Sequence, residues 1–352
     1  MANYKSDRKS GCDYSQEVKE LKKNGPGRVY LLHGPEDYLR ESFLAELKKI
    51  CIPDGDDGFS YRRFEGPALD EKALENAVDV FPFLSQRTLI ELRDVDLNKL
   101  SSSEKLPQIL ENIPDYCSVV FVQSAGYVPD GRLKLIKQIK TSGRELLFTE
   151  QPRKKLYDWI RRRFNHYEKE ISDEAVQRLV FVSGDLMNKL IPEIEKVAAY
   201  AGDKTVQVSD VNAVAHKIPE AQAFDIIDQI SEKNFDMALK IFSELIKGHD
   251  CSPIAFISSL GYQLRRIYGT KLAVAFKLSR SETMDFLSLR NDYACDKLIA
   301  SAKRFSFTTL QSGIVSCVDA EYKMKSSSEN DIQLLKDVLT GIIISEQRTA
   351  NS

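Results

Sequence analysis

Between residues 25 and 150 the apolar side chains alternate between two spacings. Val29 to Leu32 form a short continuous apolar run and Gly34 opens a turn. From Tyr38 to Ile50 the apolar positions Leu39, Phe43, Leu44, Leu47 and Ile50 recur three or four apart, which predicts one face of a helix. FSYRRFEG (59–66) is a short strand candidate, and LDEKALENAVDV (69–80) predicts a helix whose stripe is Leu74, Val78 and Phe81. TLIEL (88–92), SVVFVQ (118–123) and RELLFTE (144–150) are further apolar runs of strand length, separated by helical or loop segments. Strands that are apolar on both sides and alternate with helices predict a mostly parallel sheet covered on two faces, so residues 1–150 read as an α/β domain.

After Pro152 the strand pattern stops. KKLYDWIRRRFNHY places Leu156, Trp159, Ile160 and Phe164 on one helical face. ISDEAVQRLVFVSG follows, with Ser172 as N-cap, and DLMNKLIPEIEKVAAYAG carries Leu186, Leu190, Ile194 and Val197 before Gly202 ends it. Residues 151–218 therefore read as a small helical domain. From residue 219 the chain reads as longer helices, in AFDIIDQISEKNFDMALKIFSELIKG, SPIAFISSLGYQLRRIYGTKLAVAF, DYACDKLIASAKRF and DIQLLKDVLTGIIISEQ, which makes 219–352 an all-helical domain. No internal repeat interrupts this order.

Composition narrows the function classes. The 352 residues are 42% hydrophobic and 29% charged, the values of a globular chain, and no apolar run approaches the length of about 18 residues needed for a membrane span. A polar N-terminus, MANYKSDRKSGCDYSQ, lacks the apolar stretch of a secretory signal, so a cytoplasmic location is expected. The formal net charge of -2 argues against a chain that is basic throughout. Six cysteines are scattered without a C-x-x-C pair, and the four histidines, His33, His166, His216 and His249, lie far apart in the sequence. Neither a metal site nor a cofactor is expected from them.

The strand, turn and helix around Gly34 arrive in the order of a phosphate-binding P-loop, G-x-x-x-x-G-K-[ST]. The ending is missing, because Leu39 stands at the second glycine, Arg40 at the lysine and Glu41 at the hydroxyl residue. Glu36, Asp37 and Glu41 add negative charge that would repel a polyphosphate. SVVFVQSAG also ends its strand in Gln123 and Ser124, where the acidic pair for magnesium and water would stand. The frame is that of a nucleotide site, and the chemistry for ATP hydrolysis is absent at several independent positions.

An α/β domain, a three-helix domain and an all-helical C-terminal domain, built on a P-loop frame stripped of its lysine, resemble the delta subunit of bacterial DNA polymerase III, a clamp-loader subunit with an AAA+ fold. The stretches that carry the resemblance are VYLLHGPEDYLRE, FPFLSQRTLIEL, ISDEAVQRLVFVSGDLMNKLIPEIEKVAAYAG, AFDIIDQI with ALKIFSELI, and LGYQLRRIY, in this order over about residues 25 to 345. The resemblance implies a subunit with no catalytic activity of its own, carrying the class of the DNA-directed DNA polymerase by association. Its partners would be the ATPase subunits (gamma/tau) and delta-prime of a five-subunit loader, the ring-shaped sliding clamp (beta subunit), which it binds and opens, and primed DNA through the complex. It also implies that 151–218 is a lid and 219–352 a collar that joins the other subunits.

In this family the clamp is bound by a pair of large apolar residues at the tip of a helix before a strand. The matching stretch is VFPFLSQR, with Phe81, Pro82, Phe83 and Leu84. Pro82 biases its predecessor away from helix, so the helix is expected to stop near Phe81 and leave Phe83 and Leu84 on a turn. Without the resemblance these side chains read more simply as core residues folded under the sheet. The inserted Pro82 leaves open which two enter the clamp pocket. In RKKLYDWIRRR, the cations Arg153, Lys154, Lys155, Arg161, Arg162 and Arg163 face a single Asp158, a pattern that suits DNA phosphates or a solvated helix face equally. Two rival functions stand beside the delta reading. An active AAA+ motor subunit would need the intact P-loop, and a helical DNA-binding regulator would need a basic recognition helix and a pI well above the 6.2 of this chain.

Overall fold

Three strands that are largely buried on both faces, flanked by two more polar edge strands, assemble into one parallel sheet. The computed structural model describes residues 11–53, 55, 59–82, 85–202, 205–247, 252–289 and 292–350. They form two compact units, one reaching to Gln151 and including Leu186–Asn188, the other holding Pro152–Asp185 and the chain from Lys189.

The first unit runs α1 (Tyr14–Asn24), β1 (Val29–His33), α2 (Asp37–Cys51), β2 (Tyr61–Glu65), α3 (Glu71–Val78), β3 (Thr88–Arg93), α4 (Leu97–Leu100), α5 (Lys105–Glu111), β4 (Cys117–Val122), α6 (Lys134–Ser142) and β5 (Arg144–Leu147). Its strand order is β2-β3-β4-β1-β5, with every pairing parallel. The central strands β1 and β4 are buried along their whole length, because both faces of the sheet are covered. One face sends Val29, Leu31, Ile90, Leu92, Val119 and Phe121 into a core shared with α3, α4, α5 and α6. On the other, Tyr30 meets Phe43 of α2 at 5.9 Å between ring centroids, and Phe43 meets Phe148 at 6.0 Å. Of the predicted α2 stripe, Leu39, Phe43, Leu44 and Leu47 are buried, while Ile50 is only half-buried and Cys51 takes the buried place at the end of the helix. The edge strand β2 leaves Arg62, Arg63 and Glu65 exposed, polar side chains that suit an unpaired sheet edge.

The second unit is helical: α7 (Arg153–His166), α8 (Asp173–Ser183), α9 (Met187–Tyr200), α10 (Val208–Val214), α11 (Pro219–Ser231), α12 (Phe235–Lys247), α13 (Pro253–Ala275), α14 (Arg280–Phe286), α15 (Asp292–Arg304), α16 (Phe307–Ser326) and α17 (Asp331–Ala350). Among the described residues after Pro152, a single parallel bridge, Ile171 to Val206, is the remnant of extended pairing. Ser172 caps α8, its hydroxyl accepting the Ala175 N–H at 3.3 Å. The long α13 buries Phe256, Ile257, Leu260, Leu264 and Ile267. α16 lies close against it because Gly261 leaves room for Cys317, where a Cβ would stand 3.2 Å from the Cys317 Cβ. α8 and α11 share an aromatic contact, Phe181 to Phe224 at 4.9 Å, so the segments before and after residue 218 pack within one unit.

Candidate functional site

The loop between β1 and α2 lies where a P-loop would close around phosphate, and its own side chains fill it. Gly34 has φ +117, and a Cβ there would lie 2.2 Å from the Phe148 carbonyl oxygen. The glycine therefore serves close approach to the segment after β5. Arg40, at the lysine position, is buried and turned inward: Nη1 donates to the Gly34 carbonyl at 2.9 Å and Nη2 pairs with Asp37 at 2.7 Å. Leu39, at the second glycine position, is a core side chain of α2. Glu36 is fully buried, and its carboxylate accepts the Met187 N–H at 3.2 Å, within the same compact unit. A polyphosphate would have to displace a cation already neutralised by Asp37 and would meet a buried carboxylate.

Glu41, at the hydroxyl position, accepts two hydrogen bonds from Arg93 of β3, at 2.7 and 2.9 Å. The paired guanidinium holds the Glu41 carboxyl below the usual carboxylate range. Arg93 also donates to the buried Glu91 at 2.6 Å, and its own pKa is raised, first by Glu41 and then, against burial, by Glu91. Tyr61 donates its hydroxyl to Glu91, and burial with that carboxylate pushes the phenol up. At the end of β4, Gln123 donates through Nε2 to the Val95 carbonyl at 3.0 Å. Ser124 donates from its N–H and Oγ to Asp94 at 2.7 and 2.8 Å. The groups that would hold magnesium and a water in a motor are here staples between strand ends. His33, the last residue of β1, sits with Nε2 3.1 Å from Glu145 of β5.

The apolar element beyond α3 is arranged differently from its stripe. The helix ends at Val78, with the Asp79 N–H closing on the Glu75 carbonyl at 3.1 Å, so Phe81 does not continue the Leu74–Val78 face. β-branched Val80 and the restriction that Pro82 places on its predecessor both favour extended backbone here. Phe81 is 72% exposed, touching Tyr116 edge-on at 5.0 Å between ring centroids, while Pro82 is buried. Phe83 and Leu84 lie outside the described residues.

Along α7 the six cations part company. Arg161 is tied to Asp158 at 3.2 Å and Asp173 at 2.7 Å, and Arg163 lies over the Trp159 ring at 5.7 Å. Arg153 is half-buried, and Lys154, Lys155 and Arg162 are exposed. The patch available to a polyanion is thus narrower than the sequence run.

Comparison with known proteins bears on both units. The family described as "DNA polymerase III, delta subunit" matches residues 30–148, and the one described as "DNA polymerase III delta subunit, C-terminal domain" matches residues 220–342. The chain belongs to the DNA polymerase III delta subunit family. It is 25% identical over 331 residues to the DNA polymerase III subunit delta of Bacillus subtilis (strain 168), covering 91% of this chain and 94% of the relative. It is 21% identical over 323 residues to the probable DNA polymerase III subunit delta of Aquifex aeolicus (strain VF5), covering 89% and 90%. In fold it is similar to the solved Bacillus subtilis DNA clamp loader delta protein, with a TM-score of 0.53 and 22% identity over 94% of this chain and 99% of that one. This delta-family chain is thus a DNA replication protein with an AAA+-like α/β unit ahead of its helical region.

The frame of the degenerate site is legible in the sequence, and its filling is not. Arg93 and Asp94 carry no motif, and only the pairing of β3 beside β4 brings them to the loop. The charge alternation Glu91, Arg93, Asp94 at a strand end was the one available signal.

Proposed function

We propose that this chain is the clamp-opening subunit of a DNA polymerase III clamp loader: it binds the ring-shaped sliding clamp through the Phe81–Leu84 element and opens one interface of the ring for loading on primed DNA. The observation that carries the reading is Phe81, a large aromatic left 72% exposed between the end of α3 and the buried Pro82, in a delta-family chain. Exposed aromatics held on rigid elements are the usual anchors of protein interfaces. The filled P-loop supports a passive role, in which the α/β unit is positioned by ATPase subunits (gamma/tau) and delta-prime and carries its polymerase class by association. Residues 151–218 act as the lid segment and 219–352 as the collar that joins the other subunits. Lys154 and Arg162 are the exposed α7 cations offered to DNA, and the cytoplasm is the expected compartment.

Mixing the purified chain with the sliding clamp of the same organism tests the reading. A stable one-to-one complex without nucleotide is expected, and no complex at micromolar concentrations would overturn it.

A further inference from the structure

The stretch LGYQLRRIY leaves one charge on α13 without an opposite. Arg266 is half-buried, and its Nε lies out of contact with solvent and makes no hydrogen bond. Its guanidinium lies over the Tyr262 ring at 5.3 Å, and among the described residues it forms no ion pair. Burial lowers its pKa, against smaller opposing effects of Tyr262 and Cys295. The neighbouring Arg265 is matched: after Lys325, it helps to hold the Glu321 carboxyl of α16 below its usual range. A ring face offsets only part of the cost of withdrawing a guanidinium from water, and a carboxylate that meets its fork of donors offsets far more.

Tyr262, Arg266 and Gly269 stand at i, i+4 and i+7 on one face of α13. The end of α14 covers this face at Gly269, where a Cβ would lie 2.9 Å from Leu287 Cδ2 and 3.7 Å from Phe286 Cε1. At the other end Tyr262 is 46% exposed, and the Phe286 ring is 61% exposed. The result is a notch roughly 10 Å long at the helical rise of about 1.5 Å per residue, with an aromatic ring at each end and the unmatched guanidinium between them. Aromatic residues and arginine are the usual anchors of protein interfaces. Of the charges on α14, Arg280 is tied to Asp296 at 3.0 Å, while Glu282 and Asp285 are exposed, a flank that disfavours a nucleic-acid backbone. We propose that this notch receives a carboxylate side chain, flanked by an apolar one, from a neighbouring subunit of the loader. The inference rests on the collar reading of residues 219–352 and adds the residue and the chemistry of the contact.

The test uses the full chain assembled with its loader subunits. Arg266→Met keeps the aliphatic stem and removes the charge. It should leave clamp capture unchanged and the melting temperature unchanged or raised, and weaken incorporation into the loader at least tenfold. Replacing Tyr262 by the photo-crosslinker p-benzoylphenylalanine in the otherwise wild-type chain should give a cross-link to a segment of a neighbouring subunit that contains Asp or Glu. Changing that carboxylate to its amide should weaken incorporation as Arg266→Met does, and combining the two changes should bring no further loss. Normal incorporation of Arg266→Met, a marked fall in its melting temperature, no cross-link, or a cross-link to DNA or to a second copy of this chain would overturn the inference while leaving the clamp-opening reading intact. A wild-type chain that binds the clamp but joins no loader would remove the collar reading and this inference together.

Discussion

Gly34 and Glu41 show how single residues of a nucleotide frame have been turned to structure. Gly34 combines φ +117 with a Cβ position 2.2 Å from a backbone oxygen, and backbone cannot move aside as a flexible side chain can. Gly34→Ala is expected to cost at least about 1–3 kcal/mol from the strained conformation alone, before the clash is counted. Urea unfolding should show a clear drop in midpoint for this variant. Glu41 makes a smaller and pH-dependent contribution. Its carboxyl is held below its ordinary range by Arg93, so the native state favours the charged form. The resulting stability is present above the usual Glu pKa of about 4.3 and is lost as pH falls through the lowered value. The side chain is 45% exposed, which keeps the gain to the order of 0.2–1 kcal/mol. Glu41→Gln should therefore be slightly less stable than the wild type at neutral pH, and the difference should shrink and vanish as pH falls through the lowered Glu41 value. Equal stabilities at neutral pH would show that the Arg93 pair contributes nothing.

For the α2 element, the missing P-loop ending is not a deletion that three substitutions can reverse. Leu39 belongs to the sheet-covering core and Arg40 holds the Gly34 carbonyl from inside the loop. The wild-type chain is expected to show no saturable ATP binding at millimolar nucleotide in a calorimeter. Leu39→Gly with Arg40→Lys and Glu41→Thr should also fail to bind ATP, because Glu36 and Asp37 remain in the loop. It should lose stability, since truncating a core leucine costs about 2–5 kcal/mol and a glycine inside a helix about 1 kcal/mol more. Magnesium-dependent ATP binding by the triple variant would mean that the loop backbone had kept its phosphate-binding shape.

At the scale of the whole molecule, the exposed Phe81 beyond the end of α3 poses two accounts of the Phe81–Leu84 element. Interface anchors cost about 2 kcal/mol or more when truncated, and core residues about 2–5 kcal/mol each. As a clamp wedge, Phe83→Ala with Leu84→Ala should weaken clamp binding by on the order of a hundredfold to several thousandfold and leave the melting temperature nearly unchanged. As core, the same pair should lower the melting temperature heavily. A folded double variant that still captures the clamp would remove the wedge assignment. Separating clamp capture from assembly is better done with point variants than by cutting the chain near residue 218, because the Phe181–Phe224 contact crosses that point.

The sequence by itself determined the class of the first unit, since strands apolar on both faces can be satisfied only by a sheet covered on two sides. The absence of P-loop chemistry was equally legible, because it depends on residue identity at fixed spacing. The polar helix α1 escaped the pattern, with Leu21 its one buried residue and Asp13 and Gly25 its caps. So did α16, whose contact with α13 runs through Gly261 and Cys317, small side chains that leave a weak apolar period. Only the tertiary structure decided how the empty site is closed. Ion pairs such as Glu41 with Arg93 join residues far apart in sequence, and strand pairing, which no local spacing encodes, sets their distance. It also decided that Phe81 leaves the helix face its spacing had assigned to it. Where a helix stops depends on competition between its last hydrogen bonds and the packing of Pro82, and that balance is struck in three dimensions.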